Sequence, residues 1–339
     1  MVSFILDDRV MLIFLIILIN IFHFDVVKKY IFLAPVLIIL LFVFFHNENF
    51  DYEYYKYYFQ QVLLFDSFRD KLNYDGSLVS FEIGFVFLST ILSYLTSNSD
   101  VFILLVFIIS FFMINYCFCQ KKENYIWYLS MYLGWFFIPY GQVLIRQGVA
   151  ISLFIFITQL ALEKKSKFLL PTALSSFFHL SSLVTLCSFF SCFLNSKRRI
   201  STLVLFSFFI GYYYGVVDLI IQFSRIVDNQ KLSSYLVSEY SGSFNLDSLK
   251  NVRLLIISIF IIYFWENIDD KRTMYFAQLY IIGVSLCFIF SDVYILSTRL
   301  PDIYLVFSIF VIPDLLSNIL DKIKTSLIIS LYSVLLIVL

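Results

Sequence analysis

The chain has 339 residues, of which 61% are hydrophobic and only 14% charged. Lysine plus arginine match aspartate plus glutamate at 24 each, so net charge is zero and implies no strongly acidic or nucleic-acid partner. Soluble domains carry about a quarter charged residues. Here the apolar residues come in runs approaching the roughly 20 needed to cross a bilayer, which excludes an ordinary soluble domain.

In chain order, "VMLIFLIILINIF" and "IFLAPVLIILLFVFF" come first. The first follows "LDDR", without a positive leader or a small-residue cleavage site, and is expected to stay as an uncleaved span. Further runs follow, separated by short charged breaks. The expected spans are 10–24, 31–45, 81–95, 101–119, 125–140, 143–162, 168–194, 200–223, 252–265, 274–290, 301–316 and 325–339. The expected fold is therefore all-α, a polytopic integral membrane protein of about eleven or twelve helices in one membrane domain, 1–339.

Short basic breaks should face the cytoplasm. "EKKSK" (163–167), "SKRR" (196–199), "DDKR" (269–272) and "DKIK" (321–324) are such breaks. Placing them inside puts the 140–146 turn, the 224–251 loop and "SDVYILSTRLPD" outside. It also makes 168–194 go up and come back, as a broken or re-entrant pair turning near Pro171 to His179. "VKK" (27–29) and "QKKE" (120–123) do not fit the same parity, which leaves the topology of the N-terminal third open.

The five cysteines, Cys117, Cys119, Cys187, Cys192 and Cys287, are odd in number and scattered through apolar runs, a poor basis for disulfides or a zinc site. The histidines, His23, His46 and His179, are too dispersed for a metal cluster. No Walker loop, HExxH or G-x-S-x-G is present. No metal or cofactor is expected.

What remains is polar residues near the expected outer ends of spans. Arg146 lies in "IPYGQVLIRQGVAISLFIF". A guanidinium stays protonated, so in an apolar run it needs an anion, water or the interface. Gln142, four residues earlier, is expected on the same helix face, with Tyr140 and Gln147 as neighbours. One reading is an anion clamp, since the planar fork suits phosphate oxygens. The plainer reading is an arginine that snorkels to lipid phosphate.

"PTALSSFFHLSSL" (171–183) puts Thr172, Ser175, Ser176, His179 and Ser182 on one expected helix face. His179 is a base or donor candidate; Ser and Thr are also ordinary glue between membrane helices. "STRLPD" (297–302) reads as a helix start, with Pro301 at the first helical position and Asp302 in the first turn. Arg299 would then sit just outside the span, either paired locally with Asp302 or facing the same cleft as Arg146. Arg253 is a third cation candidate. In "NENFDYEYYKYYFQQVLLF" (47–65), Tyr54, Tyr58, Val62 and Phe65 recur at helical spacing. That suits an interfacial aromatic helix, or a sugar-stacking surface with Asp51 or Glu53 as carboxylate. Glu82, at the start of the next span, is a further acid candidate.

"LIRQGVAISLFIF", then "EKKSK", then "SSFFHLSSLV", together with "FDYEYYKYYF", "FEIGFVFLSTIL" and "TRLPDIY", resemble in order the EpsG-like branch of the Wzy-type O-antigen and exopolysaccharide polymerases. The resemblance implies an enzyme of the bacterial inner membrane acting on oligosaccharides linked by diphosphate to a polyprenyl lipid, as both donor and acceptor. It implies Arg146 and Arg299 as diphosphate clamps, and His179, Asp51 or Glu82 as base or sugar ligand. It leaves Tyr140, Gln142, Gln147, Arg253, Asp302, Tyr54 and Tyr58 as substrate-binding candidates. A chain-length regulator and a flippase are the partners it admits. Competing readings are a flippase or a ligase for the same lipid-linked glycan. A membrane acyltransferase is disfavoured, because no histidine is paired with an acid in one motif.

Overall fold

The computed structural model describes residues 12–17, 20, 33–44, 50–74, 81–164, 174–214, 216 and 248–338. Among them there are only helices and turns, and no strand. The α-helices are α1 (Leu33–Phe44), α2 (Phe50–Leu63), α3 (Phe68–Asn73), α4 (Ile83–Leu92), α5 (Ser99–Cys119), α6 (Tyr125–Trp135) and α7 (Ile145–Lys164), followed by α8 (Lys197–Tyr213), α9 (Leu249–Tyr263), α10 (Lys271–Ile289), α11 (Tyr294–Leu305), α12 (Ser308–Ile319) and α13 (Lys322–Val338). A π-helical turn, Phe137–Val143, joins α6 to α7, and a 3₁₀ helix, Leu180–Phe193, precedes α8.

Local chemistry starts these helices where the charged breaks predict. The Asn98 side chain accepts from the Asp100 and Val101 amides at 2.8 and 3.2 Å and caps α5. Asp270 caps α10 by accepting from the Arg272 and Thr273 amides, and Ser248 caps α9. Each cap satisfies amides that the first helical turn leaves unbonded.

α5, the Ile145–Glu163 stretch of α7, and α10 are each long and apolar enough to cross a membrane, and the bent pair Leu296–Leu305 with Ser308–Ile319, counted as one span, makes a fourth. These match the expected spans at 101–119, 143–162, 274–290 and 301–316. Among the described residues this is an all-helical membrane protein. Two shorter apolar helices, Ile83–Leu92 and Ser181–Phe193, fall in the expected spans 81–95 and 168–194.

Two compact units are present, residues 1–183 with 320–339, and residues 184–319. In the first, α5 and α7 pack through small polar residues. The Ser110 and Ser152 hydroxyls meet at 2.6 Å, and both reach the Gly148 carbonyl, at 3.3 and 2.7 Å. Such side chains let apolar helices approach closely while keeping every hydroxyl bonded. α13 closes on α6, where the Trp127 indole donates to Ser326 at 3.0 Å.

In the second unit, the apolar residues of α10 are buried almost throughout, as expected of a central helix. Here one expectation is corrected. Pro301 does not open a helix; it lies inside α11, which begins at Tyr294. Proline lacks the N–H that would bond the carbonyl four residues earlier. That carbonyl, of Ser297, instead accepts from Lys250 Nζ at 3.2 Å and from the Cys287 thiol at 3.3 Å. Long-range donors thus replace the missing helical bond.

Candidate functional site

The site is built around the start of α7. "FIPYGQV" leaves the α-helical register from Phe137 and forms a π turn, in which the Leu144 amide reaches back five residues to the Pro139 carbonyl at 2.8 Å. The Leu144 carbonyl then accepts from Gly148 at 2.8 Å, so helix α7 begins at Ile145 with Arg146 second in it. Gly148 makes this turn sterically possible. A Cβ there would run into the Tyr140 carbonyl. π turns of this kind often accompany functional sites.

This geometry corrects the expectation that Gln142 and Arg146 share a helix face, because they belong to different elements. Gln142 and Gln147 are both buried, as is Tyr140, which packs against Phe136 and Trp135. The Gln142 amide nitrogen is buried with no hydrogen-bond partner among the described residues.

A cation at a helix N-terminus opposes the macrodipole, and the first turn of α7 holds no acid. The compensating charge comes from α4. Arg146 Nη1 donates to Glu82 Oε2 at 2.7 Å, with the two side chains 19% and 21% exposed. Arg146 Nε donates to the Tyr55 hydroxyl at 3.4 Å. The guanidinium lies over the Phe81 ring, 4.6 Å from its centroid. A charge-assisted bond, a phenol and an aromatic face therefore hold one cation from three sides. Burial raises the pKa of the Tyr55 phenol and the nearby Arg146 lowers it, with a net rise. Tyr55 therefore stays a neutral hydroxyl at physiological pH.

Glu82 is available because it sits at the N-cap of α4 in extended conformation, with its side chain making no capping bond. Two residues on, the Gly84 amide donates to the Phe177 carbonyl at 2.8 Å. A Cβ on Gly84 would lie 2.7 Å from that oxygen, so only glycine admits the contact without a backbone shift. This bond ties the segment carrying His179 to the one carrying Glu82. His179 Nδ1 is 2.6 Å from the Ser181 hydroxyl and accepts from the Ser181 amide at 3.3 Å. Acceptance at Nδ1 assigns the proton of a neutral ring to Nε2. The single polar helix face expected over 172–182 is not formed. Leu174–Ser176 is helical, the chain turns at Phe177–Phe178, and 3₁₀ geometry begins at Leu180; Thr172 and Pro171 lie outside the described residues.

The tyrosine-rich helix α2 supplies the aromatic wall. Tyr54 stacks on Phe81 at 5.5 Å and Tyr58 sits 4.1 Å from the same ring. Asp51 lies in the first turn of α2, within electrostatic range of Tyr55. The residue of α2 that touches Arg146 is Tyr55, which the spacing of Tyr54, Tyr58, Val62 and Phe65 did not single out. Its signal was the alternative stripe Tyr52, Tyr55, Phe59 and Val62, all buried.

The remaining candidates belong to the second unit. Arg253 lies near the start of α9, and Asp302 and Arg299 lie on α11, with Arg299 exposed. Lys250, Arg253 and Asp302 are all within electrostatic range of Cys287. Lys250, not singled out from the sequence, is the cation that bonds the Ser297 carbonyl. No group of three or more His, Cys, Asp or Glu side chains placed to hold a metal occurs among the described residues.

The family model described as the EpsG family matches residues 29–339. The chain belongs to the EpsG family. No curated protein and no solved structure matches it. The matched range takes in every element of the Arg146 assembly, from α2 through Glu82 and the π turn to His179. Membership of the EpsG family points to a polysaccharide polymerase-type activity. A guanidinium carries five donors, and Glu82 and Tyr55 take two of them, leaving donors for a second anion.

Proposed function

We propose that this chain is a polysaccharide polymerase of the bacterial inner membrane, with eleven or twelve spans. It transfers a growing polyprenyl-diphosphate-linked glycan onto the terminal sugar of the next lipid-linked repeat unit, at the outer face. The observation that carries the reading is the Arg146 guanidinium held by Glu82, Tyr55 and Phe81 at the start of α7. In the reaction, the acceptor hydroxyl oxygen forms a bond to the anomeric carbon, and the bond from that carbon to the diphosphate oxygen breaks. The electron pair leaves with the polyprenyl diphosphate. Negative charge grows on that leaving group, and a preorganised cation stabilises it more in the transition state than in the ground state.

Arg146 is the clamp in this proposal, and Arg299 and Arg253, in the other unit, are the further cation candidates. His179, Asp51 or Glu82 takes the acceptor proton, a contribution of about 10² to 10⁴. With Glu82 bonded to Arg146, Asp51 is the stronger choice for the base; neutral His179, accepting at Nδ1, offers its Nε2–H as a donor to sugar or phosphate oxygen instead. Tyr54, part-exposed, offers a ring for sugar stacking, whereas Tyr58 is buried against Phe81 and Tyr74 and serves the wall instead; Tyr140, Gln142, Gln147 and Asp302 are candidate polar ligands. The lipid diphosphate carries the activation, so no nucleotide is required. A flippase and a chain-length regulator would supply substrate and set product length.

The test is a gel of lipid-linked and surface polysaccharide from a host strain lacking this gene. Loss of the long-chain ladder with a single repeat unit retained supports the polymerase. Loss of even the single unit points to a flippase or ligase and removes the polymerase reading.

A further inference from the structure

The break Lys197-Arg198-Arg199 opens α8 and takes no part in the proposed reaction. Three cations fill the first turn of that helix, which holds no acidic residue. Each opposes the macrodipole and repels the others. Lys197 lies over the Tyr263 ring at 5.6 Å. Arg199 Nη1 donates to the Phe193 carbonyl, the end of the 3₁₀ helix, at 3.3 Å. Arg198 and Arg199 line a groove of about 720 Å³ whose other walls include Phe190, Phe193, Leu203 and Phe206. The three phenylalanines are 57%, 54% and 63% exposed.

We propose that this groove binds an anionic phospholipid of the cytoplasmic leaflet, with its phosphate at Arg198 and Arg199 and an acyl chain along the phenylalanines. The argument is complementarity. A soluble anion would answer the guanidiniums and leave the apolar wall wet. A neutral lipid would cover the wall and leave the like charges unrelieved. One molecule meets both demands when it carries negative charge and hydrocarbon together. Short basic breaks face the cytoplasm, where the leaflet carries anionic lipid and attracts each nearby Lys or Arg. The bound phosphate also supplies the negative charge that the first turn of α8 lacks.

The experiment titrates the detergent-solubilised full chain with phosphatidylglycerol or phosphatidylcholine and counts bound lipid by native mass spectrometry. Phosphatidylglycerol should be retained in preference to phosphatidylcholine. Arg198→Gln and Arg199→Gln should each weaken its binding about fivefold, and Arg198→Lys should largely keep it. Lys121→Gln with Lys122→Gln, at a basic break elsewhere, should change nothing. Equal retention of the two lipids overturns the proposal. So does an equal loss in the Lys121 and Lys122 variant, which would reduce the effect to general charge, or displacement of phosphatidylglycerol by equimolar inorganic phosphate. No arm reads polymer synthesis, so failure here is separable from failure of the polymerase reading.

Discussion

The Arg146 guanidinium and the Glu82 carboxylate, 64 residues apart in the chain, meet at 2.7 Å where α7 and α4 begin. The carboxylate neutralises a cation that the helix terminus disfavours. On the proposed reading, it is also the group a diphosphate must displace or join. Holding strength and function are therefore linked in one pair.

That linkage gives the first prediction. Glu82→Gln leaves the guanidinium uncompensated, and Arg146→Gln leaves the carboxylate so. A fully buried broken pair costs about 3–5 kcal/mol; with both side chains about one-fifth exposed, about 1–3 kcal/mol is expected for each single change. The double variant should cost less than the sum by at least about 0.5 kcal/mol. Melting curves of the four proteins in one detergent measure this, and strictly additive losses would show that the pair holds nothing.

The second prediction concerns the docking of the His179 segment. Gly84→Ala puts a methyl 2.7 Å from the Phe177 oxygen, a backbone atom that cannot rotate away. The bond from the Gly84 amide must lengthen or break. A loss of about 1–3 kcal/mol is expected, with faster amide exchange at Gly84 and in residues 178–182. Unchanged exchange in that segment would mean that the contact does not hold it.

Much of this was legible in the sequence and some was not, for physical reasons. The all-helical membrane class follows from run length alone. A lone arginine in an apolar run announces a need for a partner, and Glu82 announces the same, but no local rule pairs residues so far apart. In "FDYEYYKYYF" almost every position is aromatic, so helical spacing defines several equally apolar stripes. The fold buries Tyr55 and Phe59 together with Tyr58 and Val62, so two of the stripes are core at once and spacing alone does not single out Tyr55. Pro139 and Gly141 mark a break, yet the five-residue reach of Leu144 is a property of the closed turn. Pro301 was read as a helix start because the donors that rescue Ser297 lie on α9 and α10.

The Pro301 arrangement yields a third prediction. Lys250→Met removes a charged donor from the Ser297 carbonyl and should cost about 1 kcal/mol. In a Pro301→Ala background the helix supplies its own donor to that carbonyl, and the same Lys250 change should cost distinctly less. A thermal double-mutant cycle decides it. The same Lys250 cost in both backgrounds would mean that the lysine acts through another group.

The fourth prediction separates charge from geometry at Arg146. Arg146→Ala removes the cation that the proposal sets against the leaving diphosphate, and a loss of about 10² to 10³ in polymerisation rate is expected, the scale of deleting one preorganised donor to developing charge. Arg146→Lys keeps the charge as a compact ammonium with three donors and no planar fork. It can meet Glu82 but not also span Tyr55 and a phosphate, so partial activity is expected. Tyr55→Phe keeps the ring in its aromatic cluster and deletes only the acceptor at 3.4 Å from Nε, a long bond whose loss should cost tenfold at most. The readout is ladder length and rate of lipid-linked polymer formation in membranes where each variant is inserted at wild-type level. The expected order is wild type, Tyr55→Phe, Arg146→Lys, Arg146→Ala. A normal ladder from inserted Arg146→Ala would remove the clamp; equal defects in the Lys and Ala variants would show that the fork, rather than the charge, is what the reaction needs.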